Sequence, residues 1–130
     1  MGASPSACRS LDGTGASAYN PFMSRLADTR AFLHRLHRAI IEERIRFTWK
    51  ADDEIAGLGW SRQDAVDQLG VLEESHLLRT EAPRVAKAGL IWVFCPLAWE
   101  LEQHLWIRLT ENDDLTMLVS FHLAEGDPWT

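Results

Sequence analysis

The chain has 130 residues, 46% of them apolar and six of them Trp, and its 25% charged residues divide into Lys+Arg 13 against Asp+Glu 19, a net charge of −6. That length suits one domain whose core needs neither disulfides nor a structural metal, and the composition excludes collagen and low-complexity disorder. The longest apolar stretch, Leu90 to Pro96, falls far short of the roughly 20 residues of a spanning helix, and the excess of acids argues against indiscriminate nucleic-acid binding.

Residues 1–24 are rich in Gly, Ser and Ala, include Pro5 and Pro21 and show no periodicity, the composition of a flexible tail. Residues 25–130 are expected to form the single domain. The opening MGASPSACRS lacks the basic and apolar segments of a secretory signal, so a cytoplasmic protein is expected. Cys8 in the tail and Cys95 in an apolar run suggest reduced, incidental thiols.

From Asp28 the pattern changes. Phe32, Leu33, Leu36, Ile40 and Ile41 recur at helical spacing, with Arg30, Arg35, Arg38 and Glu42 on the other side, which predicts an amphipathic helix over roughly 28–43. Ile45 to Trp49 (IRFTW) suits a strand or extended connection. A short helix over about 51–56 is stopped by Gly57 and Gly59. Ser61 followed by Asp64 gives the S-x-x-D start of a further helix, Arg62 to about Leu72. Thereafter the texture is β: His76 to Thr80, Leu90 to Cys95, His104 to Thr110 and Leu115 to Leu123. Helices first and strands last predict an α+β fold, with N-terminal helices packed on one face of a C-terminal antiparallel sheet.

In HLWIRLT, Leu105, Ile107 and Leu109 alternate with His104, Trp106, Arg108 and Thr110; in LTMLVSFHL the apolar set is Leu115, Met117, Val119, Phe121 and Leu123. A three-residue loop, Asn112 to Asp114, keeps both core faces matched and sets Ile107 opposite Val119, Trp106 opposite Ser120 and His104 opposite His122. An imidazole, an indole and a guanidinium then share the polar face.

On that face Trp106 is a candidate stacking platform for a nucleobase; it equally suits a face covered by a helix or loop. Arg108 is a candidate phosphate clamp, or else the partner of Glu111 or Asp113 in a surface ion pair. His122 has the side chain best suited to moving a proton near neutral pH. Two His, His104 and His122, without a neighbouring Asp, Glu or Cys make too few ligands for zinc. Arg79 ends HLLRT, and Arg84 and Lys87 lie in the following loop EAPRVAKAG, a cationic cluster fit to face an anion. Charge is also divided along the chain. Arg25 to Lys50 carries seven cations against three acids, and Ala51 to Glu74 one cation against seven acids, so a basic patch remains open despite the net charge. No G-x-x-x-x-G-K, G-x-G-x-x-G, C-x-x-C or H-E-x-x-H occurs, and no cofactor is expected.

Five stretches then occur in order: a helix leading into IRFTWKADDEIAGLGWSRQDAVDQLGVL, the block EESHLLR, the tract WVFCP around Trp92 and Pro96, the strand LWIRLT, and the ending VSFH. Over about Phe32 to Leu123 they resemble the MqsR family of type II toxin–antitoxin ribonucleases, within the wider RelE-like toxin fold. The resemblance implies a small α+β endoribonuclease that cleaves mRNA without a metal and is neutralised by a cognate antitoxin protein. It sets Arg79 at the family's catalytic or RNA-contacting lysine, Trp106 at its tyrosine, Arg108 at its strand lysine and His122 at its terminal lysine. Trp106 has no hydroxyl, so a phenol's proton-transfer role lapses there, and Val93 stands where the family has glutamine. His122, Arg79 and Arg108 are therefore the expected catalytic residues, with Trp106, Arg84 and Lys87 binding substrate. Two other classes stay open: an inactive toxin scaffold that serves as a protein-interaction module, and a nucleic-acid-binding regulator that uses the basic first helix.

Overall fold

A computed structural model describes residues 21–83, 89–98, 100–112 and 115–129. The chain divides into two units, Met1–Ala31 and Phe32–Thr130. The described part of the first is the opening of helix α1 (Pro21–Ile41), where the Thr29 hydroxyl donates to the Arg25 carbonyl at 2.7 Å. The helix thus begins inside the expected tail, with Pro21 in the first turn, where a missing N–H costs nothing.

The second unit runs from the rest of α1 through β1 (Ile45–Phe47), α2 (Trp49–Gly57), α3 (Arg62–Gly70), a 3₁₀ turn at Glu74–His76, β2 (Leu77–Glu81), β3 (Ile91–Phe94), β4 (Leu97–Ala98), β5 (Gln103–Asn112) and β6 (Leu115–Leu123). The α+β fold is as expected. The helices end and begin through local chemistry. At the end of α1, Arg44 N–H donates to the Ala39 carbonyl and Glu43 N–H to that of Ile40. Glu43 itself holds φ 56°. This is the pairing that closes a helix through a left-handed residue, here without the glycine that usually signals it. Thr48 caps α2 by accepting from Ala51 N–H, and Ser61 and Asp64 form the expected capping box of α3.

The sheet is mixed where an antiparallel one was expected. Its order is β1-β6-β5-β3-β2, with β4 paired to β5 off this path, and β1 runs parallel to β6. The chain between them carries α2, α3 and strands β2 to β5, long enough for a crossover. One face of the sheet meets the helices. Phe32, Leu33 and Leu36 of α1, Ala51 and Ile55 of α2, and Ala65 and Leu69 of α3 form one cluster with Trp92, Phe94, Leu105, Ile107, Leu109, Leu118 and Phe121. The Phe32 ring stacks on that of Trp92 at 4.5 Å between centroids. Each large side chain fully buried here contributes about 1.5–3 kcal/mol.

The β5–β6 register also departs from expectation. Asn112 pairs with Leu115, where the expected three-residue loop sets Glu111, and Leu109 with Leu118; then Arg108 pairs with Ser120, Ile107 with Phe121 and Trp106 with His122, the register shifting again between Arg108 and Leu109. Val119 is the extra residue, a β-bulge that reverses the inward-facing set along β6. Before it Thr116 and Leu118 are buried, and after it Phe121. Strict alternation through Val119 therefore fails, and the expected pairs Ile107–Val119, Trp106–Ser120 and His104–His122 do not form. No helix among the described residues is long and apolar enough to cross a membrane.

Candidate functional site

Because β5 sends Leu105, Ile107 and Leu109 into the core, its even residues His104, Trp106, Arg108 and Thr110 stand on the face away from the helices, each half-buried. Backbone register extends that face across the sheet. Arg79 of β2 pairs with Val93 of β3, Val93 with Arg108 of β5, and Arg108 with Ser120 of β6, a single row over four strands. Trp106 and His122 form the next pair along. At the usual strand spacing the Cα atoms of Arg79 and Arg108 are roughly 10 Å apart, and their long side chains close the gap. The Arg79 guanidinium lies 5.2 Å from the Trp106 ring centroid, within cation–π range. Four of the expected site residues, Arg79, Trp106, Arg108 and His122, therefore share one face. Arg84 and Lys87 lie outside the described residues.

The arginines meet an acid that the sequence did not single out. Glu81, two residues beyond Arg79 on the same strand face, takes Arg79 Nε and Nη2 on one oxygen at 3.0 and 2.8 Å. Its other oxygen lies 3.1 Å from Arg108 Nη2. Burial pushes the Glu81 carboxyl up, but the hydrogen bonds from Arg79 and the charges of Arg108 and Arg79 outweigh it and hold the group below its ordinary value. Of the two acids proposed as the Arg108 partner, the described residues include only Glu111, and it does not serve. Glu111 instead binds Arg35 of α1 through both oxygens at 2.7 and 2.8 Å, and Asp113 lies outside the described residues. Arg108 Nε is buried and has no hydrogen-bond partner among the described residues, an unmet donor within the row.

A second group gathers around His122. Strand β1 ends at Phe47, so among the described residues no strand lies beside β6 beyond Leu118 on this edge, and Thr48 and α2 complete it. Thr48 donates its backbone N–H to Leu118 O and its hydroxyl to Val119 O. Glu54 Oε1 accepts from Phe121 N–H at 3.0 Å. The other Glu54 oxygen lies 3.8 Å from Lys50 Nζ and 3.9 Å from His122 Nε2, and Lys50 Nζ donates to the buried Ser120 hydroxyl at 3.0 Å. His122 Nδ1 lies 2.8 Å from the Leu123 carbonyl. Since a carbonyl only accepts, that nitrogen carries the hydrogen, and Nε2 of the neutral ring is the free base.

His104 bonds Cys95 O through Nδ1 at 3.2 Å and takes no part in a pair with His122. Cys95 is buried, and burial, partly offset by the charge of Arg79, pushes its thiol up to about 11. Among the described residues no group of three or more His, Cys, Asp or Glu is placed to hold a metal ion. Glu81 and Glu54 were not singled out in the sequence, although each stands near a cation, two residues from Arg79 on one strand and four from Lys50 on one helix; Lys50 entered only as one cation of the basic stretch and Ser120 only as the expected partner of Trp106. Compared with known proteins, the chain matches no family model and no curated protein.

Proposed function

We propose that this face is the site of a metal-independent mRNA endoribonuclease, the toxin of a toxin–antitoxin pair in the cytoplasm, with an MqsR-like arrangement of the RelE-like kind. The observation that carries it is the meeting of Arg79, Trp106, Arg108 and His122 from three strands, with the Arg79 guanidinium over the Trp106 ring. An α+β domain whose helices lie on the opposite face of the sheet supports the reading.

The chemistry follows from the groups present. Attack of a 2′-hydroxyl on the adjacent phosphate leaves a cyclic phosphate and a free 5′-hydroxyl, and needs a base, an acid and positive charge held in place. His122 Nε2 takes the hydroxyl proton. The guanidiniums of Arg79 and Arg108 meet the extra charge on the phosphorane, displacing the Glu81 carboxylate that pairs them in the free protein. Trp106 stacks the base beside the scissile bond, a sequence-tolerant contact. A cognate antitoxin would neutralise the protein.

One observation favours a second reading. Glu81 compensates both arginines, as in a face that docks a protein without catalysis, the inactive toxin scaffold. Expression of the chain alone in bacteria separates the two. Growth arrest with loss of mRNA is expected of the nuclease, and harmless accumulation of the protein would overturn it.

A further inference from the structure

We infer that Lys50 is the second proton-transfer group of this site, the acid that protonates the 5′-oxygen as it leaves, an assignment that rests on the nuclease reading above. Three features of α2 place it. Lys50 and Glu54 are four residues apart and share one side of the helix. Glu54 is fixed, because its Oε1 satisfies the Phe121 N–H that no strand among the described residues reaches; turning away would strand a backbone donor. Its other oxygen then lies 3.8 Å from Lys50 Nζ and 3.9 Å from His122 Nε2. One carboxylate oxygen thus lies close to both the amine and the imidazole.

The amine also faces the phosphate-binding row. Lys50 Nζ donates to Ser120 Oγ, and Ser120 is the cross-strand partner of Arg108. A phosphate held by Arg108 would therefore have the Lys50 ammonium on its β6 side and His122 beside Trp106 on the next pair. The step balances. His122 Nε2 takes the 2′-hydroxyl proton as the O2′–P bond forms. The P–O5′ bond breaks with its electron pair on O5′, and Lys50 supplies the proton that makes the 5′-hydroxyl. Glu54 faces the imidazolium so formed, and exchange with water returns both groups to their starting states.

The test separates an acid from a mere charge. The cleavage site is mapped on wild-type protein, and a second RNA is made with sulfur in place of the bridging 5′-oxygen at that bond. A thiolate leaves unprotonated far more readily than an alkoxide, a thiol having a pKa of about 8.5. Lys50→Ala is expected to cut the oxygen RNA about 100-fold or more slowly and the sulfur RNA at close to the wild-type rate. Lys50→Arg, which keeps the charge, should show the same rescue, and His122→Ala should be slow on both. Equal loss on both substrates in Lys50→Ala, or no loss on either, overturns the assignment while wild-type cleavage leaves the nuclease reading standing. A wild-type protein inert on both RNAs removes that reading and this assignment with it. Thermal melting of each variant shows that the fold is kept.

Discussion

The guanidinium of Arg79 on β2 rests 5.2 Å from the ring centroid of Trp106 on β5, although β3 lies between their strands. A cation and an aromatic plane are thereby presented together on the half-open face of the sheet. If that plane stacks a nucleobase, Trp106→Ala loses about 1–3 kcal/mol of binding to single-stranded RNA, a weakening of roughly 5- to 150-fold. Trp106→Phe keeps most of it. Fluorescence anisotropy with an uncleavable 2′-O-methyl oligonucleotide reads the difference, and equal affinity of wild type and Trp106→Ala would take the ring out of the interface.

Glu81 gives a prediction in pH. Its folded pKa lies below the ordinary 4.5, so the folded protein binds fewer protons than the unfolded chain in the window beneath that value. The stability due to this carboxylate is full above pH 4.5 and is lost as the pH falls through the lower folded value. Wild type should therefore melt well above Glu81→Gln at pH 7, and the gap should narrow on acidification from about pH 5 to 3. A gap of constant size would show that the Arg79–Glu81–Arg108 group does not contribute through its charge.

The core prediction concerns Phe32, which is fully buried and stacked on both Trp92 and Phe94. Replacing it with Ala leaves a cavity between helix and sheet and should cost about 3–5 kcal/mol in chemical denaturation. A loss under about 1 kcal/mol would mean that the site had collapsed around the smaller side chain.

Cys95 offers a check on the sheet itself. Buried, with its thiol pushed up to about 11, it has on the order of one thiolate in a thousand at pH 8. In a Cys8→Ser background it should react with a thiol reagent at pH 8 only slowly, and rapidly once denaturant is added. Fast reaction without denaturant would place Cys95 at an accessible surface.

The helices and strands were legible because their signals are local. The Ser61–Asp64 capping box marked the start of α3, and the period-two pattern of β5 told which of its side chains would leave the core. What was not legible came from pairing. The parallel partner of β6 is β1, some 70 residues earlier. Nothing in IRFTW announces this. The bulge at Val119 has no glycine to signal it, and with Asn112 rather than Glu111 opposite Leu115 it moves His122 from His104 to Trp106. The grouping of Arg79, Trp106 and Arg108 was foreseen through strand alternation and the resemblance. Glu81 and Glu54 were not, because the contacts that bring them into the site, Glu81 to Arg108 and Glu54 to Phe121 and His122, join elements far apart in the chain.

The most direct measurement is mRNA cleavage by wild type and by His122→Ala, with circular dichroism melting to show that both are folded. Wild type should release fragments ending in cyclic phosphate and beginning with a 5′-hydroxyl, and His122→Ala should be slower by about 100-fold or more. Undiminished cleavage by the folded variant, or a folded wild type that cuts no RNA, would contradict the account.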